Sequence, residues 1–383
     1  MTMDQETFEQ LRATVRRFVR ERLVPREAEV GLSDAMPPGI LAEMRELGLF
    51  GLSIPETYGG LGLTLVEEVR LSLELGWTSP AFRSTFGTNV GIGSQAIVAD
   101  GSPEQKQRYL PDLASGRIIG AFALTEPEAG SDSGSLRTRA VRDGDAFVIN
   151  GRKRFITNAP TAGLFTVFAR SDPASSGPRG VSAFLVEAGT PGLSVGTPDR
   201  KMGQQGVHTA DVVFEDCRVP ASSMIGGEGS GFRTAMKVLD RGRLTLAAGA
   251  CGLAERLIHE CLVYGSERQQ FGRPIAEFQL VQAMLADSRT EAYAATTMVM
   301  DAAALKDSGV DTTMAAACCK YFATEMVGRV ADRAVQIFGG AGYVSAYPIE
   351  RFYRDVRLLR IYEGTSQIQQ LVIAREMLKA VPS

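Results

Sequence analysis

The apolar residues of this 383-residue chain change their spacing twice along its length. That limits the architecture before any motif is considered. A period near 3.6 buries one stripe of a helix, and a period of two buries one face of a strand. Phe8, Leu11, Val15, Phe18, Val19 and Leu23 recur at intervals suited to an amphipathic helix. Ser102-Pro103-Glu104-Gln105 predicts another helix start: the serine caps, the proline suits the first turn, and Gln105 closes a capping box. Past residue 118 the period shortens, and β-prone runs at 146–149, 165–168, 181–186 and 211–214 are separated by Gly, Pro, Asn and Asp. Helical spacing returns in Leu246, Ala250, Leu253, Leu257 and Cys261, in Leu280, Met284 and Leu285, and in Cys319, Phe322, Met326, Val330, Ala334 and Ile337. The expectation is an α+β multidomain chain: an N-terminal helical domain (1–118), a middle β-barrel or sandwich (119–225) and a C-terminal four-helix bundle (226–383).

Composition excludes several functions. A net charge of −3 gives no electrostatic reason to expect nucleic acid or an anionic membrane. No uncharged apolar stretch reaches membrane-spanning length, so no stable membrane insertion is expected. The first residues, Met1-Thr2-Met3-Asp4-Gln5-Glu6, are acidic where a signal peptide would be basic, which predicts a cytoplasmic protein. The cysteines, Cys217, Cys251, Cys261, Cys318 and Cys319, are odd in number and form no C-x-x-C pair, so they read as reduced core thiols. His208 and His259 share no metal-type spacing, and no metal site is expected. A histidine-based triad is poorly supplied, which turns attention to carboxylates.

Ala123-Leu124-Thr125-Glu126-Pro127-Glu128-Ala129-Gly130-Ser131-Asp132 stands where helical spacing gives way to strands. Its small residues and hydroxyls can present N–H and O–H groups to a flat polar ligand, where Gly-Ser-Asp alone would be a plain turn. Arg154-Phe155-Ile156-Thr157-Asn158 follows an expected turn at Asn150-Gly151. It is either an ordinary hairpin strand or an aromatic that packs on a ring beside a threonine that bonds the ring's edge. Glu267-Arg268-Gln269-Gln270-Phe271-Gly272-Arg273-Pro274-Ile275 breaks the bundle. It is a charged connection unless Arg268 meets a phosphate through paired donors. Gln336-Ile337-Phe338-Gly339-Gly340-Ala341-Gly342-Tyr343 ends a helix with more glycine than a cap needs, which permits close backbone approach to a ligand. Gly227-Glu228-Gly229-Ser230-Gly231 follows no βαβ strand, so a flexible helix start explains it better than a nucleotide loop. Sharpest is Arg360-Ile361-Tyr362-Glu363-Gly364-Thr365-Ser366-Gln367-Ile368-Gln369. There Glu363 precedes a glycine and a helix capped by Thr365, so its carboxylate either projects into a cleft or serves the cap.

In this order and at this separation the segments resemble the acyl-CoA dehydrogenase family of flavoproteins, over nearly the whole chain. The resemblance implies FAD as cofactor, with Thr125 and Ser131 contacting it from the first loop and Ser131 also near the thioester. Phe155 would stand against the flavin where tryptophan is commoner, and Thr157 would bond its reactive edge. Arg268, Phe271, Gln336 and Gly340 would hold the adenine end and pyrophosphate of a neighbouring subunit's cofactor, and Thr365 and Gln367 would complete the site. Asp240, Arg243 and Gly364 would line the acyl-CoA side. A homotetramer and an electron-transfer flavoprotein as acceptor are implied as well.

The same resemblance assigns Glu363 as catalytic base. A subset of the family carries that base on an earlier helix, at a place occupied here by Gly242 in Leu239-Asp240-Arg241-Gly242-Arg243. The implied reaction is α,β-dehydrogenation to the trans-2-enoyl thioester, with Glu363 taking the α proton and flavin N5 the β hydride. Around Pro80-Ala81-Phe82-Arg83-Ser84 the chain is similar to glutaryl-CoA dehydrogenase, whose arginine pairs with a distal carboxylate. Arg83 is then a candidate anchor for a dicarboxylyl chain, or a structural arginine. The companion serine of that enzyme is Gly87 here. Two other functions stay open: 2-enoyl thioester reduction by the same residues, and a non-catalytic binding protein on this fold. The carrier is CoA or an acyl carrier protein.

Overall fold

The computed structural model describes residues 3–175 and 177–379, so the outer ends of the first and third expected domains lie outside the described residues. Helices fill the first part: α1 (Gln5–Phe18), α2 (Glu27–Ser33), α3 (Pro38–Glu46), α4 (Leu65–Leu75), α5 (Pro80–Thr88), α6 (Gln95–Asp100) and α7 (Pro103–Ala114). The stripe that begins at Phe8 is buried against Phe50, Phe82 and Phe86. α7 starts with the expected capping box: the Ser102 hydroxyl accepts from the Gln105 N–H at 3.2 Å, and the Gln105 side chain accepts from the Ser102 N–H at 3.0 Å.

The middle part holds β1 (Gly120–Ala123), β2 (Arg139–Asp143), β3 (Ala146–Thr157), β4 (Leu164–Arg170), β5 (Val181–Glu187), β6 (Leu193–Val195), β7 (Thr209–Pro220) and β8 (Met224–Ile225). They form one mixed sheet in the order β6-β7-β3-β2-β4-β5-β8, with β1 parallel to β4. β2 meets β4 only through Arg139 and Arg170, so two halves are joined at a narrow seam. Their facing sides pack together: Phe147, Ile149 and Phe214 from one half share a core with Phe165, Phe184 and Val186 from the other. Phe168, Val181 and Leu185 point the opposite way, into a core with Leu110, Leu113 and Val238. Burial on both faces explains the unbroken apolar runs of β4 and β5.

One expectation fails here. Asn150-Gly151 is no turn: β3 runs straight through it and pairs with β7, with a register shift between Ile149 and Gly151. The glycine serves a bulge, because a Cβ there would stand 2.7 Å from the Thr138 Cα. The hairpin turn lies earlier, where Asp143 pairs with Ala146 around Gly144 at φ +64°.

The C-terminal part consists of α8 (Gly231–Glu267), α9 (Gln279–Asp307), α10 (Thr313–Phe338), α11 (Ile349–Val356) and α12 (Ser366–Lys379), with a small hairpin of β9 (Gln269–Gln270) and β10 (Arg273–Pro274) after α8. The bundle is as expected, with α11 as a short additional helix. The start of α8 is packed, not flexible: the Gly229 N–H donates to the Ser182 hydroxyl at 2.8 Å, and a Cβ on Gly231 would overlap the Ser182 backbone. Small residues along α8 bring it close to α4. A Cβ on Gly252 would stand 2.9 Å from the Gly76 Cα, so the two backbones touch and fix where α5 begins. Among the described residues no helix is long and apolar enough to cross a membrane.

The N-terminal helices and the bundle are also joined by a cap supplied from a distance. Asp307, the last residue of α9, accepts from the Leu65 and Val66 N–H groups at 2.9 and 2.8 Å, at the start of α4. Replacing Asp307 with alanine leaves those donors without the carboxylate. The expected loss is about 1–2 kcal/mol in denaturant-unfolding free energy.

Candidate active site

Helices from both ends of the chain and the edge of the sheet enclose a cavity of about 560 Å³, within the usual range for a ligand site. Among its lining residues are Ser84, Thr88, Thr125, Ser131, Phe155, Thr157, Asp240, Arg243, Tyr362, Glu363 and Gly364.

Glu363 forms the wall with the most chemical potential. It sits at φ +53° and Gly364 at φ +88°, two successive left-handed residues between a short 3-10 turn and α12. A non-glycine residue held there marks a site where surrounding structure overrides local preference. The surroundings are specific. The Lys320 ammonium donates to the Gly364 carbonyl at 2.6 Å. The Gln369 amide donates to the Glu363 and Gly364 carbonyls at 3.2 and 3.1 Å. The Thr365 hydroxyl accepts from the Ile368 N–H at 3.2 Å, the cap read from the sequence. Pinned in this way, the turn aims its carboxylate inward, and Glu363 Oε2 is enclosed without a hydrogen-bond partner.

Burial raises the Glu363 pKa above the ordinary carboxylate value, and the positive charges of Arg83, Lys320 and Arg243 oppose the rise. Space at this point is for one side chain: a Cβ on Gly242 would stand 2.8 Å from Glu363 Oε2.

The opposite wall is built by strand irregularity. Phe155 has φ +57°, in a stretch where the β3–β7 register shifts between Lys153 and Ile156. The bulge turns its ring into the cavity, 59% exposed. The loop bearing Thr125 and Ser131 is fastened beneath. Lys153 is fully buried and donates to Glu126 at 2.7 Å and to the Leu124 carbonyl at 3.1 Å. Glu126 accepts in turn from the Arg137 and Thr138 N–H groups at 2.6 and 2.9 Å. The Arg154 N–H donates to the Thr125 carbonyl at 2.8 Å. Burial lowers the Lys153 pKa to about 8 despite its carboxylate partner. Sequence reading missed this pair, as it missed Lys320. Across the cavity Arg243 is buried and paired with Asp240 at 2.6 Å.

The remaining sequence candidates lie off this lining. Arg268, Phe271, Gln336 and Gly340 are exposed, Phe271 at 93%. Thr365 and Gln367 open α12 beside the cavity without lining it. Arg83 lies behind it, in a slot between Gly87 and Gly249, where it donates to the Thr245 hydroxyl at 3.1 Å. His259 is exposed, with its ring 5.3 Å from Trp77. All cysteines are free, and among the described residues no cluster of His, Cys, Asp and Glu could hold a metal.

An aromatic ring and threonine hydroxyls on one wall, facing an enclosed carboxylate on the other, suit a planar cofactor and a carbon acid held between them. The fold and site define a cofactor-dependent oxidoreductase. Family comparison makes the assignment specific. The N-terminal, middle and C-terminal domain models of acyl-CoA dehydrogenase match residues 5–117, 121–217 and 229–378. The acryloyl-CoA reductase (NADH) of Anaerotignum propionicum is 43% identical over 99% of this chain and 95% of its own. A chain solved in the study of the electron transferring flavoprotein of Acidaminococcus fermentans is 40% identical, with a TM-score of 0.94 over 98% of this chain and 100% of that one. Butyryl-CoA dehydrogenase from Megasphaera elsdenii is 36% identical, also at 0.94, over 98% of this chain and 100% of that one. This chain belongs to the acyl-CoA dehydrogenase family, and it is an FAD-dependent oxidoreductase.

The Lys153–Glu126 pair should decide whether the loop bearing Thr125 and Ser131 holds its shape. Removing one member of a buried pair strands the other, at about 3–5 kcal/mol. Lys153→Met is expected to purify with substoichiometric FAD and a lower melting temperature. Lys153→Met/Glu126→Gln should recover stability ahead of FAD content, measured by absorbance near 450 nm and thermal unfolding.

Proposed function

We propose that this protein removes the α proton and β hydrogen of an acyl-CoA thioester, giving the trans-2-enoyl product, with Glu363 as base. The supporting observation is Glu363 at the cavity wall, with one carboxylate oxygen enclosed and unpartnered. The α C–H beside a thioester is a weak acid, so a base in a dry cleft with a raised proton affinity suits it. FAD, when bound, supplies the two-electron sink. Phe155 backs the flavin ring, and Thr125, Ser131 and Thr157 bond its polar edge, Ser131 also nearing the thioester. Asp240, Arg243 and Gly364 border the CoA side. Thr365 and Gln367 stand at the cofactor's flank. Arg268, Phe271, Gln336 and Gly340, exposed and away from this cavity, serve the adenine end of FAD in a second copy of the chain, which requires an oligomer, in our reading a homotetramer. The domain boundaries near 118 and 226 follow the changes of element type.

Glu363→Gln is expected to keep FAD and bind butyryl-CoA but to lose flavin bleaching by about 100-fold or more. Rapid bleaching by this variant would refute the base. The sign of the pH dependence follows from the same carboxylate. Dehydrogenation needs it ionised, so bleaching should rise with pH through an apparent pKa above that of an ordinary glutamate.

The reverse reaction, reduction of a 2-enoyl thioester, has specific support in the 43% identity to an acryloyl-CoA reductase. It requires Glu363 protonated, so its rate should fall as pH rises. An electron transferring flavoprotein is the natural redox partner in either direction, given the 40% identical neighbour from that setting. Assays with oxidised and reduced carrier protein separate the two directions.

A dicarboxylyl chain is the narrower substrate reading, and it depends on Arg83. Because Arg83 lies behind the lining, a distal carboxylate must pass Ser84 to meet it. Arg83→Ala that loses about tenfold on glutaryl-CoA but not on butyryl-CoA supports the reading. Equal losses on both thioesters remove it.

A further inference from the structure

We propose that Lys320 is a positioning residue for the reaction: its ammonium fixes the turn that carries Glu363 and keeps a positive charge beside the base. The inference rests on the reading of Glu363 as base, and adds a residue that no motif points to. Lys320 lies inside α10 and is 0% exposed. A lysine there is costly unless it is bonded. Its described partner is a neutral group, the Gly364 carbonyl at 2.6 Å, so the charge is not spent on a carboxylate. That carbonyl belongs to the residue after Glu363, in the left-handed pair that the local sequence would not adopt unaided.

Other charges facing the turn are paired with opposite charges or make no described bond to it. Arg243, from α8, pairs with Asp240 at 2.6 Å, and its contact with the Glu363 carbonyl is long, at 3.5 Å. Glu325, one turn further along α10, bonds the Ser366 hydroxyl at 2.5 Å and Arg360 at 3.0 Å. Arg83, from α5, also bonds a neutral group, the Thr245 hydroxyl, and its charge favours ionised Glu363, but it stands behind the wall and makes no described bond to the turn. Among the described residues Lys320 alone joins a mechanical hold on the turn to a positive charge not paired with a carboxylate. Glu363 and Lys320 each favour the charged form of the other, against burial. Two consequences follow. Without the ammonium the carboxylate ionises at higher pH, and without the hydrogen bond its aim is less fixed.

The test uses the full-length, FAD-loaded protein and follows flavin bleaching by butyryl-CoA across pH in a stopped-flow instrument. Lys320→Met removes both the charge and the bond. Lys320→Gln keeps a donor for the carbonyl and removes the charge. The acidic limb of the profile is expected to move about one pH unit or more to the alkaline side in both variants, with little change in KM. Below that limb the bleaching rate falls about tenfold. Lys320→Gln should regain part of the plateau rate lost in Lys320→Met while its limb stays displaced. Should Lys320→Met not fold, the limb of Lys320→Gln alone decides. A limb that stays in place overturns the proposal, whether or not the rate falls, because a purely structural lysine would not move it. Failure of the base reading looks different: Glu363→Gln would then bleach normally.

Discussion

The site depends on keeping one carboxylate oxygen out of water without pairing it. A glutamate on a surface helix would be solvated, near its ordinary pKa, and too weak a base for a carbon acid. A glutamate buried against a cation would be ionised but bound. At Glu363 the chain takes a middle course: three cations act from a distance while one carboxylate oxygen stays unpartnered. One side-chain hydrogen bond from Lys320 and two from Gln369 to the turn's carbonyls then hold it against its local preference. Folding energy gathered elsewhere maintains this arrangement, since the turn itself contributes little apolar burial.

That energy comes from the way the three regions meet. The cavity lies inside none of them: α5 supplies Ser84 and Thr88, the sheet supplies Phe155 and Thr157, and the bundle supplies Asp240 and Glu363. A shift of one region would therefore misplace both reacting walls at once. Polar joints fix the register. Glu27 of α2 accepts from the Thr78 hydroxyl at 2.7 Å and pairs with Arg351 of α11 at 2.9 Å. Asp355, in the same helix, accepts from the Ser79 hydroxyl at 3.2 Å and from the Gln204 N–H, and Gln204 lines the cavity. Buried polar joints of this kind contribute modest net stability, and their use here is to specify one relative placement.

Much of this was legible in the sequence because it is periodic or local. The Phe8–Leu23 stripe, the Ser102 capping box and the Thr365 cap each depend on residues within a few turns, and each is present. The alternation of helix and strand fixed the order of the regions for the same reason. What escaped notice depends on residues far apart. Lys320 reads as one more lysine on a helix until the turn 44 residues later supplies its partner. Lys153 reads as an outward strand residue until Glu126, 27 residues earlier, comes under it. Asn150-Gly151 carries the strongest local turn signal in the region, yet pairing with β7 overrides it, because a bulge also tolerates glycine. Arg83 was legible as unusual but not as to where it points, which is set by Gly87 and Gly249 on either side.

The placement of the proposed base follows from the same packing logic. Two positions approach the reacting face, Gly242 on α8 and Glu363 before α12, and the distance between a Cβ at the first and the carboxylate of the second is 2.8 Å. One cavity wall cannot hold two side chains there, and two carboxylates so close would hold a proton between them instead of leaving one free to accept. Glycine at 242 is thus the steric condition for glutamate at 363. α8 can pass this near the cavity because it is bare at that point, while its neighbour Arg243 still reaches the carbonyl side of the turn. The proposed base belongs to a segment whose backbone the surroundings hold specifically, and the long helix beside it contributes space.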